Sequence, residues 1–271
     1  MASSFKDTII VDGFANEAKD LKKFFDLQFE NPRAAQAKRF VWDYWYVPEQ
    51  YKLLRTPAYH YFPPKVYNSF HRSLVEWGRR ELGCHDISPP WLSYYVEGCE
   101  QKLHADVPHG PWAFVYSLTV NPKKFQGGET QILRRSVLDY WNTFQETDGE
   151  REFGQFFDLV PSKFNRLVVF DPRLPHGVRR VSGVEDPKQA RIVIHGWFVE
   201  PRPYVIGSLT TAQVGKTLQS FMDDLSENLE KWPLIHGVYT CRLQITAAGK
   251  VKSTQILSNT MTVVADRQQL G

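Results

Sequence analysis

Residues 90–199 consist of short apolar runs separated by turn residues, and this pattern restricts the fold more than any other feature of the sequence. The runs are rich in β-branched and aromatic side chains, which favour strands, and Gly, Pro and Asn stand between them. They read WLSYYVE, WAFVYSLTV, TQILRR, NRLVVFDP and ARIVIHGWFV. Several short strands at this density are typical of a sandwich or barrel, so we expect a jelly-roll core over residues 90–200. The stretch SVLDYWNTFQETDGEREFGQFFDL interrupts the runs and predicts a polar insertion with some helix.

The segments on either side of this core have different sequence patterns, which include helices as well as strands. In residues 1–89, TIIVDGF predicts a strand, while NEAKDLKKFFDLQF and KVYNSFHRSLVEWGRREL have the apolar spacing of helices. The aromatic, Pro-punctuated stretch between them, KRFVWDYWYVPEQYKLLRTPAYHYFPP, predicts mostly loop with short strand pieces. Towards the end, VGKTLQSFMDDLSENLEKW predicts an amphipathic helix, and GVYTCRLQITAAGKVKSTQIL predicts two strands around an AAGK turn.

These elements predict two domains. We expect a mainly β domain over residues 1–207, in which N-terminal helices flank a double-stranded β-helix (cupin-like jelly-roll) core. A small α+β C-terminal module follows over residues 208–271. This module loosely resembles the C-terminal module of TonB-type envelope proteins, which implies a protein partner. A simple cap on the barrel is the alternative.

Composition and charge exclude several function classes. The net charge of +3 is too small to indicate nucleic-acid binding by itself. No stretch approaches the roughly 20 consecutive apolar residues that cross a bilayer, and the first residues lack a signal-peptide pattern. Cys84, Cys99 and Cys241 are scattered and form no C-x-x-C pair, so we expect reduced, buried thiols and a cytoplasmic location.

The candidate site begins with LHAD, in which His104 and Asp106 stand two residues apart on an extended segment. Alternate residues of a strand face the same side, so both side chains can reach one ion. His176 follows a later strand, and two imidazoles with one carboxylate form the facial triad of non-haem iron(II) oxygenases. Arg191 opens the next strand and offers a guanidinium for a carboxylate. His109 is a rival ligand, but its Pro and Gly neighbours predict a turn and favour a place at the substrate mouth.

The order of these residues resembles the prolyl-4-hydroxylase-like branch of the iron(II)/2-oxoglutarate-dependent dioxygenases, over roughly residues 91–198. The resemblance lies in SYYVEGCEQKLHAD, in FVYSLT followed by FQGGET, in KFNRLVVFDPRLPHGV and in ARIVIHGWF. It implies that His104, Asp106 and His176 bind iron(II). The resemblance also implies that Arg191 binds 2-oxoglutarate. The sequence departs from many prolyl hydroxylases, which have Lys at the position of Arg191, and this weakens any assignment of proline as substrate.

Three further residues are candidates for the cofactor pocket. By resemblance, Tyr116 takes the position of a hydroxyl against the distal carboxylate of the cofactor, and Tyr95 falls near a second cofactor-facing tyrosine. His195 lies four residues after Arg191 on the same strand face. Burial in an ordinary core is the alternative for all three.

The activity that the resemblance implies is oxidation, mainly hydroxylation, of an unactivated C–H bond. Dioxygen and 2-oxoglutarate are consumed, succinate and carbon dioxide are released, and ascorbate is an accessory reductant. The substrate is an amino acid, a small metabolite or a peptidyl residue. A metal-binding module without turnover and a zinc hydrolase are the alternatives, although an H-E-x-x-H helix is missing from the sequence. The stretch RFVWDYWYVPEQYKLLR either covers the substrate or packs on the sheet.

Overall fold

The computed structural model describes residues 7–107, 109–138, 155–199, 201–229 and 231–265. The chain forms two compact units, of which the larger comprises Lys6–Leu74 and Ile87–Val199. The described residues of the smaller unit are Val75–Asp86, 201–229 and 231–265. Most of the predicted polar insertion, residues 139–154, lies outside the described residues.

The strands of the larger unit form one sheet. They are β1 (Thr8–Asp12), β2 (Asp43–Val47), β3 (Tyr51–Pro57), β4 (Trp91–Tyr95), β5 (Glu100–His104), β6 (Trp112–Ser117), β7 (Thr130–Leu133), β8 (Phe157–Val160), β9 (Arg166–Phe170), β10 (His176–Val178) and β11 (Arg191–Phe198). Neighbouring strands follow the order β1-β9-β6-β11-β4-β3-β5-β10-β7-β8, with β2 paired to β3, and every pairing is antiparallel. The mainly β, jelly-roll fold predicted from the sequence is confirmed.

Strand β3 makes the sheet curl. Its later residues pair with β4, from Leu54 opposite Tyr94 to Pro57 opposite Trp91. Its first residue, Tyr51, pairs instead with Gln101 of β5. One strand thus connects two groups of strands, so that the sheet folds over and encloses a cavity.

The hairpin of β2 and β3 corrects the sequence analysis, which predicted mostly loop here. Its prolines, Pro48 and Pro57, were interpreted as loop signals, yet Pro48 lies in the turn and Pro57 at the end of β3. Proline is tolerated at such positions because it interrupts no interior ladder bond. Between them Leu53 is buried, which fixes β3 as a regular strand.

Helices cover the outer face of the sheet. They are α1 (Ala18–Phe29), α2 (Ala58–Tyr61) and α3 (Pro64–Glu81). The ring of Tyr94 packs against Phe25 of α1 and against Trp42, with centroids 6.1 and 4.6 Å apart. Its neighbour Tyr95 faces the cavity, because successive side chains of a strand point to opposite faces.

The smaller unit contains helix α4 (Thr211–Leu229) and strands β12 (Leu234–His236), β13 (Tyr239–Ile245), β14 (Val251–Asn259) and β15 (Thr262–Ala265). The pairs are β12 with β15 and β13 with β14, each antiparallel. Both elements predicted for the tail, the helix and the hairpin around AAGK, are present. Within this unit the carbonyl of Leu82 accepts hydrogen bonds from the hydroxyls of Thr240 and Ser258.

The cysteines agree only in part with the prediction of buried thiols. All three cysteines are free, but only Cys84 and Cys99 are buried, whereas Cys241 is exposed. Across the described ranges of the chain, the helices are all too short or too polar to cross a bilayer.

Candidate active site

The curled sheet encloses a cavity of ≈ 440 Å³. Its walls come from alternate residues of neighbouring strands, which the register places side by side. On β11 and β4, Arg191 stands opposite Tyr95, and His195 stands opposite Trp91. The same alternation brings Leu53 and other β3 side chains to the cavity. Because every second side chain of each strand faces the cavity, short strands supply charged, polar and aromatic side chains to one pocket.

The predicted metal ligands converge inside this cavity. His104 ends β5, His176 begins β10, and the two residues are direct partners across the ladder. Nε2 of His176 lies 3.3 Å from Oδ2 of Asp106, and Nε2 of His104 lies 3.6 Å from Oδ1. One ligand atom from each of the three residues lies within 4.8 Å of the others. Among the residues that the structure describes, this is the one such cluster of histidine, cysteine and carboxylate side chains.

Backbone carbonyls fix the orientation of both imidazoles. Nδ1 of His104 lies 2.8 Å from the carbonyl of Lys102, and Nδ1 of His176 lies 2.9 Å from that of Leu174. A carbonyl oxygen only accepts, so each Nδ1 carries the proton and donates it. The lone pair is then on Nε2, which faces Asp106. Such outer contacts orient metal-binding histidines.

The local electrostatics favour the protonation states that a metal needs. Burial, and then the neighbouring His176, lower the pKa of His104, which favours a neutral ring. Burial alone would raise the pKa of Asp106, but the neighbouring imidazoles of His176 and His104 lower it overall. Neutral imidazoles and an ionised carboxylate are the forms that bind a divalent ion. The donor set thus fits iron(II).

Arg191 is a second charged group in the cavity and is only 1% exposed. Its Nε donates to the carbonyl of Gly128 at 2.7 Å, and Nη2 donates to the hydroxyl of Thr130 at 3.1 Å. Nη1 is buried and has no hydrogen-bond partner among the described residues. A buried, incompletely paired guanidinium is costly, and an anionic ligand in the cavity would satisfy it. The position fits the far carboxylate of 2-oxoglutarate.

The Gly-Gly turn before β7 holds Arg191 in place. Gly127 and Gly128 have φ angles of 74° and 75°, a conformation that favours glycine. A Cβ on Gly127 would lie 1.9 Å from the carbonyl oxygen of Arg180, which leaves no room for a side chain. The turn thereby brings the carbonyl of Gly128 to the Arg191 guanidinium.

Tyr95 and His195 both line the cavity, where the sequence placed them. The hydroxyl of Tyr95 donates to Gln101 at 2.9 Å, and its ring lies 4.5 Å from the Arg191 guanidinium carbon. Burial raises the pKa of Tyr95 to about 12. Burial and the nearby charge of Arg191 lower the pKa of His195 to about 3, and its Nε2 lies 2.8 Å from the Ser93 hydroxyl. Both side chains therefore provide neutral polar walls.

Tyr116 requires a correction. It lies on β6 beside Val115, which lines the cavity, and alternation turns Tyr116 to the opposite face. There its ring packs on Phe70 with centroids 4.7 Å apart, and its hydroxyl donates to Oδ1 of Asn165 at 2.9 Å. Tyr116 is a core residue in this structure, the alternative considered from the sequence, and not a cofactor contact.

His109 lies at the rim and not in the metal cluster. Its exposed ring packs on Trp197 with centroids 4.6 Å apart. The backbone N–H of His109 donates to the carbonyl of Asp106, which forms the predicted turn.

Sequence reasoning left open whether the stretch that forms the hairpin of β2 and β3 covers the substrate or packs on the sheet, and it singled out no residue of that hairpin. Trp45, Tyr51 and Arg55 line the cavity. The signal was present as the alternation of WDYWYV and YKLLR, but the flanking prolines obscured it.

Comparison with known proteins agrees with this geometry. Residues 90–199 match the family model described as the 2OG-Fe(II) oxygenase superfamily. No curated protein matches the chain. Among solved structures, the chain is similar to a Pseudomonas putida prolyl-4-hydroxylase, with 15% identity, a TM-score of 0.48, and coverage of 72% of this chain and 92% of that chain. It is also similar to a prolyl hydroxylase from Trichoplax adhaerens, with 16% identity, a TM-score of 0.47, and coverage of 71% and 83%. The resemblance drawn from the sequence is confirmed: residues 90–199 match the model of the 2OG-Fe(II) oxygenases, a superfamily of oxidoreductases.

Proposed function

We propose that this protein is an iron(II)- and 2-oxoglutarate-dependent dioxygenase that hydroxylates an unactivated C–H bond and releases succinate and carbon dioxide. The substrate is an amino acid, a small metabolite or a peptidyl residue. One observation carries the proposal. His104, Asp106 and His176 converge in the same cavity as a buried Arg191 whose Nη1 has no partner among the described residues.

The three ligands leave room for chemistry at the metal. Nε2 of His104, Nε2 of His176 and a carboxylate oxygen of Asp106 would hold iron(II), and three protein donors would leave room at the metal for 2-oxoglutarate and dioxygen. Iron(II) with 2-oxoglutarate bound there supplies the activation of dioxygen, a chemistry that no side chain provides.

Arg191 and its neighbours hold the keto acid. Nη1 of Arg191 would donate to the far carboxylate of 2-oxoglutarate, while Gly128 and Thr130 keep the guanidinium fixed. Tyr95 and His195 stay neutral, so neither introduces a charge that would compete with the carboxylate. The aromatic walls of the cavity limit the water that reaches the reacting carbon.

The test separates binding from turnover. Protein loaded with iron(II) and 2-oxoglutarate in the absence of oxygen should develop a visible absorption band. When oxygen and pools of candidate metabolites or peptides are then added, succinate should form, and mass spectrometry measures it. His104→Ala and Asp106→Ala should lose the band and the succinate, because each removes one of three ligands.

His60→Ala is the matched control, since His60 is exposed and does not line the cavity. Full turnover by either ligand variant would exclude the metal assignment. A band without succinate from any pool would instead support a binding module that does not turn over.

A further inference from the structure

A second arginine, Arg55, lines the cavity and takes no part in the proposed binding of iron or 2-oxoglutarate. It lies on β3, where its backbone pairs with Ser93 of β4 on one side and with Asp43 of β2 on the other. Arg55 is half-buried, whereas Arg191 is almost completely buried. The two arginines therefore occupy different depths of one cavity.

Two indole rings enclose the Arg55 guanidinium. Its central carbon lies 3.1 Å from the ring centroid of Trp45 and 4.0 Å from that of Trp91. Stacking on an aromatic face holds a guanidinium flat and favours its charged form. A guanidinium packed on aromatic rings in this way presents its N–H edge to a ligand.

That edge is not satisfied by the protein. The Nε of Arg55 is buried and has no hydrogen-bond partner among the described residues. Within the described ranges, no carboxylate forms an ion pair with Arg55. Burial lowers the pKa of Arg55, and the charge of Asp43 partly opposes this effect. A planar, two-pronged donor in this state matches a carboxylate, which accepts two parallel hydrogen bonds.

We infer that Arg55 is a specificity-determining residue that binds a carboxylate of the substrate, so that the substrate class is organic acids, N-acylated amino acids or peptides with a free C-terminal carboxylate. The inference rests on the proposed function. It deepens that function by assigning the second cation of the cavity to the substrate and leaving Arg191 to the cofactor.

The spacing along β3 indicates the size of the substrate. Tyr51 lies 5.2 Å from the ring of the metal ligand His104, centroid to centroid, and Arg55 is four residues further along the strand. Four residues of a strand extend about 13 Å between Cα atoms. This separation of the two backbone positions favours an amino-acid derivative over the smallest carboxylates as the molecule that spans from Arg55 to the metal ligands.

The experiment compares acids with their amides. N-acetyl derivatives of the common amino acids, and the corresponding primary amides, are incubated with the iron-loaded protein, 2-oxoglutarate and oxygen, and succinate above the substrate-free rate is measured. The best acid should reach its half-maximal effect at a concentration about 10- to 100-fold lower than its amide, the range expected for a hydrogen-bonded charge pair.

Variants connect this preference to Arg55. Arg55→Gln should bring the half-maximal concentration of the acid up to that of the amide, and Arg55→Lys should restore part of the difference because it keeps the charge. Arg72→Gln is the matched control, since Arg72 is exposed and lies outside the cavity lining. Circular dichroism verifies that each variant folds, and Arg55→Lys keeps the test decisive if Arg55→Gln does not.

The outcomes distinguish the inference from the function on which it rests. If the native protein shows no visible band with iron(II) and 2-oxoglutarate, the proposed function fails. If the band forms but amides act as well as acids, or no acid raises succinate formation, or Arg55→Gln keeps the preference for acids, the role of Arg55 is overturned. A packing role of Arg55 between the two indoles would alter stability but would not produce a preference for acids.

Discussion

Replacing Arg191 with glutamine tests how the cavity holds the keto acid. The native guanidinium donates to Gly128 and Thr130 and keeps Nη1 for a ligand. Glutamine is shorter and neutral, so it loses the charge-assisted bonds to the far carboxylate. One such bond, from Nη1, contributes about 1.5–3 kcal/mol. Since about 1.4 kcal/mol is a factor of ten, we expect the KM for 2-oxoglutarate to rise about 10- to 100-fold.

The assay is succinate formation against 2-oxoglutarate concentration, with oxygen and the co-substrate pool held constant. Arg166→Gln is the control, because Arg166 is also a strand arginine but pairs with Asp12 outside the cavity lining. That variant should lose about 1 kcal/mol of stability at most and keep the native KM. A folded Arg191→Gln protein with an unchanged KM would refute the placement of the cofactor carboxylate at Arg191.

Two further outcomes follow from the surroundings of the cavity. Tyr116→Phe should lower the free energy of unfolding by about 1 kcal/mol through loss of the hydrogen bond to Asn165, measured by denaturant titration, and should leave the KM for 2-oxoglutarate unchanged; an increase like that of Arg191→Gln would return Tyr116 to the cofactor site. The folded-state pKa of His195 is about 3, below its ordinary value of 6.5, so the stability that its neutral form contributes is complete above pH 6.5 and is lost as pH falls towards 3. The free energy of unfolding should fall in this window by up to about 1.4 kcal/mol per pH unit for this one proton, and His195→Gln should flatten the dependence; equal slopes in the two proteins would contradict the low pKa.

The strands and the cluster of candidate metal ligands were predictable because both follow from local patterns. His104 ends β5 and Asp106 follows two residues later, a spacing that was enough to predict that the two side chains share one side. Arg191 was found in the same way, from its position at the start of a strand. The convergence of His176 with them depends on the pairing of β10 with β5, which a single sequence does not specify.

The errors have a common physical origin. For Tyr116, the position along β6 was right, but the sequence did not show which face of that strand meets the cavity, because both faces of β6 are apolar. For the hairpin of β2 and β3, the prolines favoured a loop prediction, although the alternation of side chains along the stretch favoured strands. Arg55 was consequently not singled out, since its role depends on Trp91, a residue of another strand.

Strand β3 joins the two groups of strands that carry the proposed metal ligands and the arginine proposed to bind the cofactor, and it also carries Arg55. The distance from the substrate's anchor to the oxidised carbon is therefore set by a ladder register and not by a mobile loop. Moving the anchoring arginine by two positions, which keeps its face, displaces it by about 7 Å. Such a transfer within β3 would select a different carbon of the same molecule, so the position of attack is a property that this hairpin can alter while the metal centre stays unchanged.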